Sequence, residues 1–221
     1  MNVLVIDIGG THVKMLVTGE NNRREFSSGP ALTPESMVPQ VQALVADWHF
    51  DAVTIGYPGP LLHQHIAAEP HNLGSGWMGF DFEAAFGCPV KLMNDAAMQA
   101  LGGYQGGKML FLGFGTGLGT ALIVDGIVEP MELSHLPYRK GTYEDYVGNH
   151  ALAKKGKKKW INHVLDIIEL LRKAFEPDEV LLGGGNVRLL DAMPSGCRRG
   201  DNSDAFTGGL RIWNDSGVRS Q

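Results

Sequence analysis

Short apolar runs separated by glycines and turn residues dominate the chain, and most have the two-residue period of a strand. Val3 to Ile8, apolar except at Asp7, reads as a buried strand, Gly9-Gly10 as a tight turn, and His12 to Thr18, apolar at alternate positions, as a returning strand. Asn21-Asn22 marks the next turn and Arg23 to Ser27 a third strand. Thr33-Pro34-Glu35 places an N-cap residue before a first-turn proline, which predicts a helix to about Trp48. Ala52 to Gly56 reads as a strand ending in Tyr57-Pro58-Gly59-Pro60, Lys91 to Met93 as a short strand into Asn94-Asp95, and Ala96 to Leu101 as a helix stopped by Gly102-Gly103.

The second half repeats this plan. Lys108 to Leu112 and Thr120 to Val124 read as strands flanking a glycine loop, with a turn at Asp125-Gly126. Helices are expected over Glu144 to Lys155 and Lys157 to Phe175, then a strand Val180 to Leu182 ending in Gly183-Gly184-Gly185, and a last helix from Asp204 to Trp213 capped by Ser203. The reading is α/β with two lobes, residues 1–95 and 96–202, a C-terminal helix at about 203–219 packing back on the first, and a cleft between them as the default site.

Composition narrows the function. The chain has 221 residues, 43% of them hydrophobic, and 19 basic against 24 acidic residues give a net charge of -5. No overall positive field would hold nucleic acid or an anionic membrane, so small-molecule partners are expected. Cys88 and Cys197 make neither a disulfide framework nor a four-thiolate zinc site, and suit a reducing compartment. Met1 to Ile6 lacks a basic leader and is cut by Asp7, and Met109 to Val124 is cut by Gly113, Gly115, Gly117 and Gly119. Neither reads as a signal or a membrane span, so a cytoplasmic location is expected. The 30 glycines are roughly twice the usual share and sit in short loops after strands, where a backbone can approach a ligand.

Two phosphate motifs are tempting and fail. Gly102 to Lys108 spells G-x-x-x-x-G-K, but Met109 stands where a magnesium-binding Ser or Thr is required, and the segment enters a strand. Gly113 to Gly119 hints at a dinucleotide fingerprint, yet it leads into β-branched residues and not a helix. The better account is two glycine hairpins that offer backbone N–H groups and the hydroxyls of Thr11 and Thr116 to phosphate oxygens. Asp7 beside those phosphates would be repulsive unless it held Mg²⁺, directly or through water.

Taken in order and spacing, Asp7-Ile8-Gly9-Gly10-Thr11-His12-Val13-Lys14, Asn94-Asp95-Ala96, Gly113 to Gly119 and Leu182 to Gly185 resemble the phosphate-1, catalytic, phosphate-2 and adenosine segments of ROK-family sugar kinases. Gly56 to Gly59, Pro70 to Trp77, Thr142 to Gly148 and Gly196 to Asn202 are similar to its polyphosphate glucokinase branch. The resemblance implies the two-lobed actin-like, ribonuclease H-like fold and transfer of a phosphoryl group from ATP or polyphosphate to the 6-hydroxyl of glucose.

It also implies roles. Asp95 would be the base, a reading set against its alternative as N-cap of the helix at Ala96. Gly59, Asn72, Asn94, Glu132, His135 and Glu144 would hold the sugar; Gly9, Gly10, Thr11, Lys14, Gly115, Thr116 and Gly117 the phosphates; Gly183, Gly184 and Gly185 an adenine; and Asp7 the Mg²⁺. Glu132-Leu133-Ser134-His135 resembles the family's E-x-G-H segment with Ser134 in place of glycine. The cysteine cluster that follows it in many members is missing, so no structural zinc is expected and another group must orient His135. His63, Gln64, His65 and His71 read as surface loop. The lysines at 154, 155, 157, 158 and 159 are either a solvated junction or a polyanion track, and Arg198 and Arg199 raise the same question. The resemblance makes a homodimer plausible. The alternatives are a kinase of another hexose or N-acetylhexosamine, and a sugar-binding sensor; the latter's DNA-binding segment is not expected, because Asp7 already lies in the first hairpin.

Overall fold

The computed structural model describes residues 1–201, 203–214 and 219–220. In the first half, β1 (Val3–Ile8), β2 (His12–Val17) and β3 (Arg24–Ser27) form an antiparallel meander. Helix α1 (Pro34–Leu44) returns the chain to β4 (Ala52–Tyr57), parallel to β1; a small ladder of β5 (Leu61–Leu62) and β6 (His65–Ile66) and the short α2 (Phe82–Phe86) precede β7 (Val90–Asn94), parallel to β4. The sheet order is β3-β2-β1-β4-β7. Helix α3 (Asp95–Gly103) then leads into the second half.

There the plan recurs. β8 (Lys108–Phe114), β9 (Leu118–Val124) and β10 (Ile127–Met131) form a second meander. After a ladder of β11 (Pro137–Tyr138) and β12 (Gly141–Thr142) come α4 (Glu144–Val147), α5 (Asn149–Lys155) and α6 (Lys157–Phe175). β13 (Glu179–Gly183) lies parallel to β8, β14 (Cys197–Arg199) parallel to β13, α7 (Asp204–Asn214) follows, and β15 (Arg219–Ser220) adds to β10. The sheet runs β14-β13-β8-β9-β10-β15, so without β15 the two sheets share one strand order and one set of directions.

Because every residue of β4 is buried, on both faces, while the meanders alternate, helices must cover both sides of each sheet. Helices α3 and α7, each following the fifth strand of its half, also pack against each other. They run antiparallel with their backbones nearly touching: a side chain at Gly102 would collide with the Asp204 carbonyl, and one at Gly208 with the Met98 carbonyl. Side chains of α7 reach the last carbonyls of α3, where Arg211 Nη1 donates to Leu101 O at 2.7 Å and to Tyr104 O at 2.9 Å. Toward the first sheet, Thr54 donates to Gly209 O (2.7 Å), Trp213 Nε1 to Thr54 Oγ1 (2.8 Å) and Lys91 Nζ to Ile212 O (2.9 Å).

Several elements depart from the sequence expectation. Helix α3 runs through Gly102 and Gly103 instead of stopping before them, because the glycines serve the contact with α7 and not a terminus. Helix α1 ends at Leu44, not near Trp48, where the Arg24 guanidinium takes the Leu44 carbonyl and pairs with Asp47. The stretch from Glu144 to Lys155 is two helices, broken at Gly148 so that the Asn149 N–H can reach Thr116 O. The last helix does not reach 219, since Arg219 and Ser220 are a strand; residues 215–218, like Asn202 of the Gly196 to Asn202 stretch, lie outside the described residues. Among the described residues no helix is long and apolar enough to cross a membrane.

The glycine contact between α3 and α7 sets opposing terms in competition. Alanine is favoured over glycine in a helix by about 1 kcal/mol, but a collision with backbone cannot be relieved by a rotamer change, and overpacking costs roughly 1–3 kcal/mol or more. Gly208→Ala is therefore expected to lower the urea midpoint, and a variant as stable as the parent would show that the helices separate freely.

Candidate active site

The two glycine hairpins are held by different partners. In the first, Gly9 N donates to His12 O (2.9 Å), Ser28 N to Thr11 O (3.0 Å) and Ser28 Oγ to Gly9 O (2.6 Å), which fixes the loop while leaving Thr11 exposed. The Thr11 hydroxyl lies 3.2 Å from His12 Nδ1. Gly10 faces Asn72, whose Cβ would stand 3.6 Å from a Cβ at that position. Thus Asn72, from the loop after β4, is brought onto the first hairpin.

The second hairpin is anchored from behind. Asn149 N donates to Thr116 O (3.1 Å), and Asn186 Nδ2 donates to Asn149 Oδ1 (2.7 Å) and to Gly115 O (3.4 Å). Thr116 is exposed, and nothing lies within 4 Å of where a Gly115 side chain would stand, so an incoming anion could approach the backbone there. Gly117 is covered by the Glu144 carboxylate, and a Cβ on Gly119 would stand 2.9 Å from that of Ala96. The last contact seats the hairpin on the first turn of α3, next to Asp95.

Asp95 begins α3 but does not cap it. The cap is Asn94, which is buried; its Oδ1 accepts from Ala97 N at 3.1 Å and its Nδ2 donates to Gly59 O at 3.2 Å. With the capping duty met by its neighbour, the Asp95 carboxylate accepts from Ala96 N (2.8 Å). Burial, then the nearby Asp7 charge, pushes its carboxyl up to about 7. Asp7 is raised too, by burial, against the opposing pull of Lys14, whose Nζ lies 3.7 Å from Asp7 Oδ2 and which pairs with it across β1 and β2. Lys14 is thus engaged with Asp7.

Glu132 and His135 bracket a short 3₁₀ turn, Leu133–His135, with His135 Nε2 3.9 Å from Glu132 Oε2. The two side chains are at ion-pair and not hydrogen-bond distance, and Ser134 between them is buried. The Glu132 carboxyl is raised by burial and by Glu144, with His135 and His71 acting the other way. His71, read from sequence as surface loop, is thus near enough for its charge to act on this cluster. Its neighbour Asn72 in Pro70-His71-Asn72 was the available signal.

The three glycines after β13 divide. Gly183 is buried against Phe111, Gly184 at φ +81 packs on the Phe114 backbone, and Gly185 alone faces open space. Arg198 is bound to Glu179 and to Gly103 O (2.7 Å), and Arg199 to Leu190 O (3.1 Å), so both serve the fold. Two of the five lysines are engaged: Lys155 donates to Asp145 O (2.7 Å) and Lys157 pairs with Asp191 (3.0 Å).

The ROK family model matches residues 3–129, more than half of the chain. The chain belongs to the ROK family. A polyphosphate glucokinase of Mycobacterium tuberculosis (strain H37Rv) is 26% identical over 208 residues, covering 84% of this chain and 78% of that enzyme. The crystal structure of an inorganic polyphosphate/ATP-glucomannokinase from Arthrobacter sp. strain KM matches with TM-score 0.82 at 23% identity, over 96% of this chain and 97% of that one. A ROK family glucokinase from Streptomyces griseus, solved with glucose and AMPPNP, matches with TM-score 0.73 at 18% identity over 96% and 99%. These likenesses establish the two-lobed actin-like fold. In this ROK chain the second hairpin rests on the first turn of α3, and Asp7 at the end of β1 is near enough to Asp95 to raise its carboxyl.

The Asp95 carboxyl gives a signature independent of turnover. Its ordinary value of 3.8 rises to about 7 on folding, so the folded chain holds an extra proton between those values. Its contribution to stability is present at low pH and is lost as pH rises through about 7. Asp95→Asn should therefore melt higher than the parent at about pH 8, with the gain vanishing toward about pH 4. A gain independent of pH would refute the raised carboxyl.

Proposed function

We propose that this ROK protein is a hexose kinase that moves the terminal phosphoryl group of ATP or inorganic polyphosphate to the 6-hydroxyl of glucose. The observation that carries the reading is the Asp95 carboxyl, freed from capping by Asn94, raised to about 7 and lying beside the glycine hairpin around Thr116. A group with that value takes and releases a proton at neutral pH, as a general base must. The relatedness to a polyphosphate glucokinase at 26% identity supports the donor and acceptor classes.

In this mechanism the sugar lies among Asn72, Glu132, His135 and Glu144, with Asn94 and Gly59 shaping the floor beneath them through their mutual hydrogen bond. Asp95 accepts the proton of the sugar hydroxyl as its oxygen forms a bond to phosphorus and the bond to the leaving phosphate breaks. The backbone around Gly9 to Thr11 and Gly115 to Gly117, with both threonine hydroxyls, holds the phosphate oxygens. Among the described residues no group of three or more His, Cys, Asp or Glu side chains is arranged to hold a metal ion. A lone Asp7 fits Mg²⁺, which keeps most of its shell in water and phosphate oxygens and would neutralise donor charge.

A polyphosphate tail has a path. Helix α5 starts where Asn149 meets Thr116 and rises about 10 Å over its length, ending at Lys154 and Lys155 with Lys158 and Lys159 exposed just beyond. An adenine would lie at Gly185.

Asp95→Asn should cut glucose 6-phosphate formation by roughly 10²–10⁴-fold while glucose still binds; full activity in the folded variant would sink the assignment. Lys158→Glu with Lys159→Glu should raise KM for polyphosphate and leave KM for ATP in place. Equal kinetics with both donors would confine polyphosphate to the hairpins.

A further inference from the structure

The segment from Glu132 to Glu144 carries residues from both ends of the proposed sugar site, and between them lies the β11–β12 hairpin. That hairpin is poorly able to hold itself. It has two residue pairs, Pro137 with Thr142 and Tyr138 with Gly141, and Arg139 in its turn has φ +56, the left-handed region that favours glycine. Its base is closed by one bond, Tyr143 N to Leu136 O at 3.1 Å.

An anchor on α6 compensates. Tyr138, buried, donates its hydroxyl proton to Asp166 Oδ2 at 2.5 Å, and the Tyr138 hydroxyl oxygen lies 3.1 Å from His163 Nδ1. A phenol that donates to a carboxylate can only accept from the imidazole, so His163 carries its proton on Nδ1. Arg139 reaches Asp166 at 3.3 Å. Rings extend the joint: Tyr138 packs edge-on to Tyr146 at 5.0 Å and lies 5.5 Å from Tyr143, while Tyr146 packs on His163 at 4.8 Å. Lys155 Nζ stands 3.5 Å over the Tyr146 ring. Helix α6 is a firm platform, since Trp160, Val164, Ile167, Ile168 and Leu171 bury its other face.

We propose that Tyr138, through Asp166 and His163, is a positioning residue for the acceptor, holding Glu132 and His135 at one end of the hairpin in register with Glu144 at the other. This rests on the kinase reading of that site. Nothing in the joint touches the reacting atoms, so its loss affects where the sugar sits before it affects the transfer step.

Tyr138→Phe removes the hydroxyl and keeps the ring. A hydrogen bond to a charged group is worth enough that acceptor KM should rise roughly tenfold, with kcat at saturating sugar and donor KM nearly unchanged, and amide exchange over residues 132–144 should quicken. Asp166→Asn should do the same, and the double variant should be little worse than either single one, because the two side chains act as a unit. Faster exchange with an unchanged acceptor KM, or a fall in melting temperature alone, would reduce the joint to a structural role and overturn the proposal. Parent enzyme that phosphorylates no hexose would refute the kinase reading, and unchanged exchange in Tyr138→Phe would separately refute the anchor.

Discussion

The helix pair α3 and α7 is where the two halves of the chain are joined, and it can form only because two glycines remove the side chains that would hold the helices apart. Gly102 and Gly208 let each helix rest on backbone carbonyls of the other. Arg211 on Leu101 and Tyr104, and Arg198 on Gly103, then hold the far end of α3. At its near end Asn94 caps the helix and Asp95 projects. The place of that carboxyl beside the second hairpin is thus tied to a contact about two turns away, with no flexible side chain intervening.

The electrostatics of the cleft follow from crowding acids there. Asp7, Asp95 and Glu132 are each pushed toward the neutral form by burial, and their mutual repulsion adds to it for Asp95. Lys14, His71 and His135 answer only part of this charge. A site built so holds a proton in reserve and, in the proposed reaction, would gain from a cation delivered with a phosphate donor; the same arrangement makes it a poor resting place for a bare anion.

Much of the fold was legible because strand periodicity and turn residues are local signals. The two hairpins, β4, α6 and the placing of Asp95 at the junction of β7 and α3 all came from runs of a few residues. What escaped was non-local. Gly102-Gly103 looked like a helix stop because sequence cannot show that another helix's backbone lies against them. The break at Gly148 depends on Thr116, far away in the chain, and the bond between Asn186 and Asn149 on a pairing 37 residues apart. Asp95 looked like a cap since aspartate is a good one; only the structure reveals that Asn94 takes the duty. The Tyr138, His163 and Asp166 joint had no motif at all.

The recurrence of one strand order in both sheets has a further consequence. The two glycine hairpins occupy equivalent places, after the first strand of each half, as do α3 and α7 after the fifth, so this part of the molecule is two-fold in design. The proposed acceptor wall is not. Asn72 follows the fourth strand of its half, whereas Glu132, His135 and Glu144 follow the third strand of theirs. Insertions at unlike places can lengthen, shorten or drift without disturbing the paired hairpins. If the proposed kinase site holds, a scaffold of this kind can exchange the molecule it modifies while leaving its handling of phosphate untouched, which makes acceptor choice the evolvable half of the site.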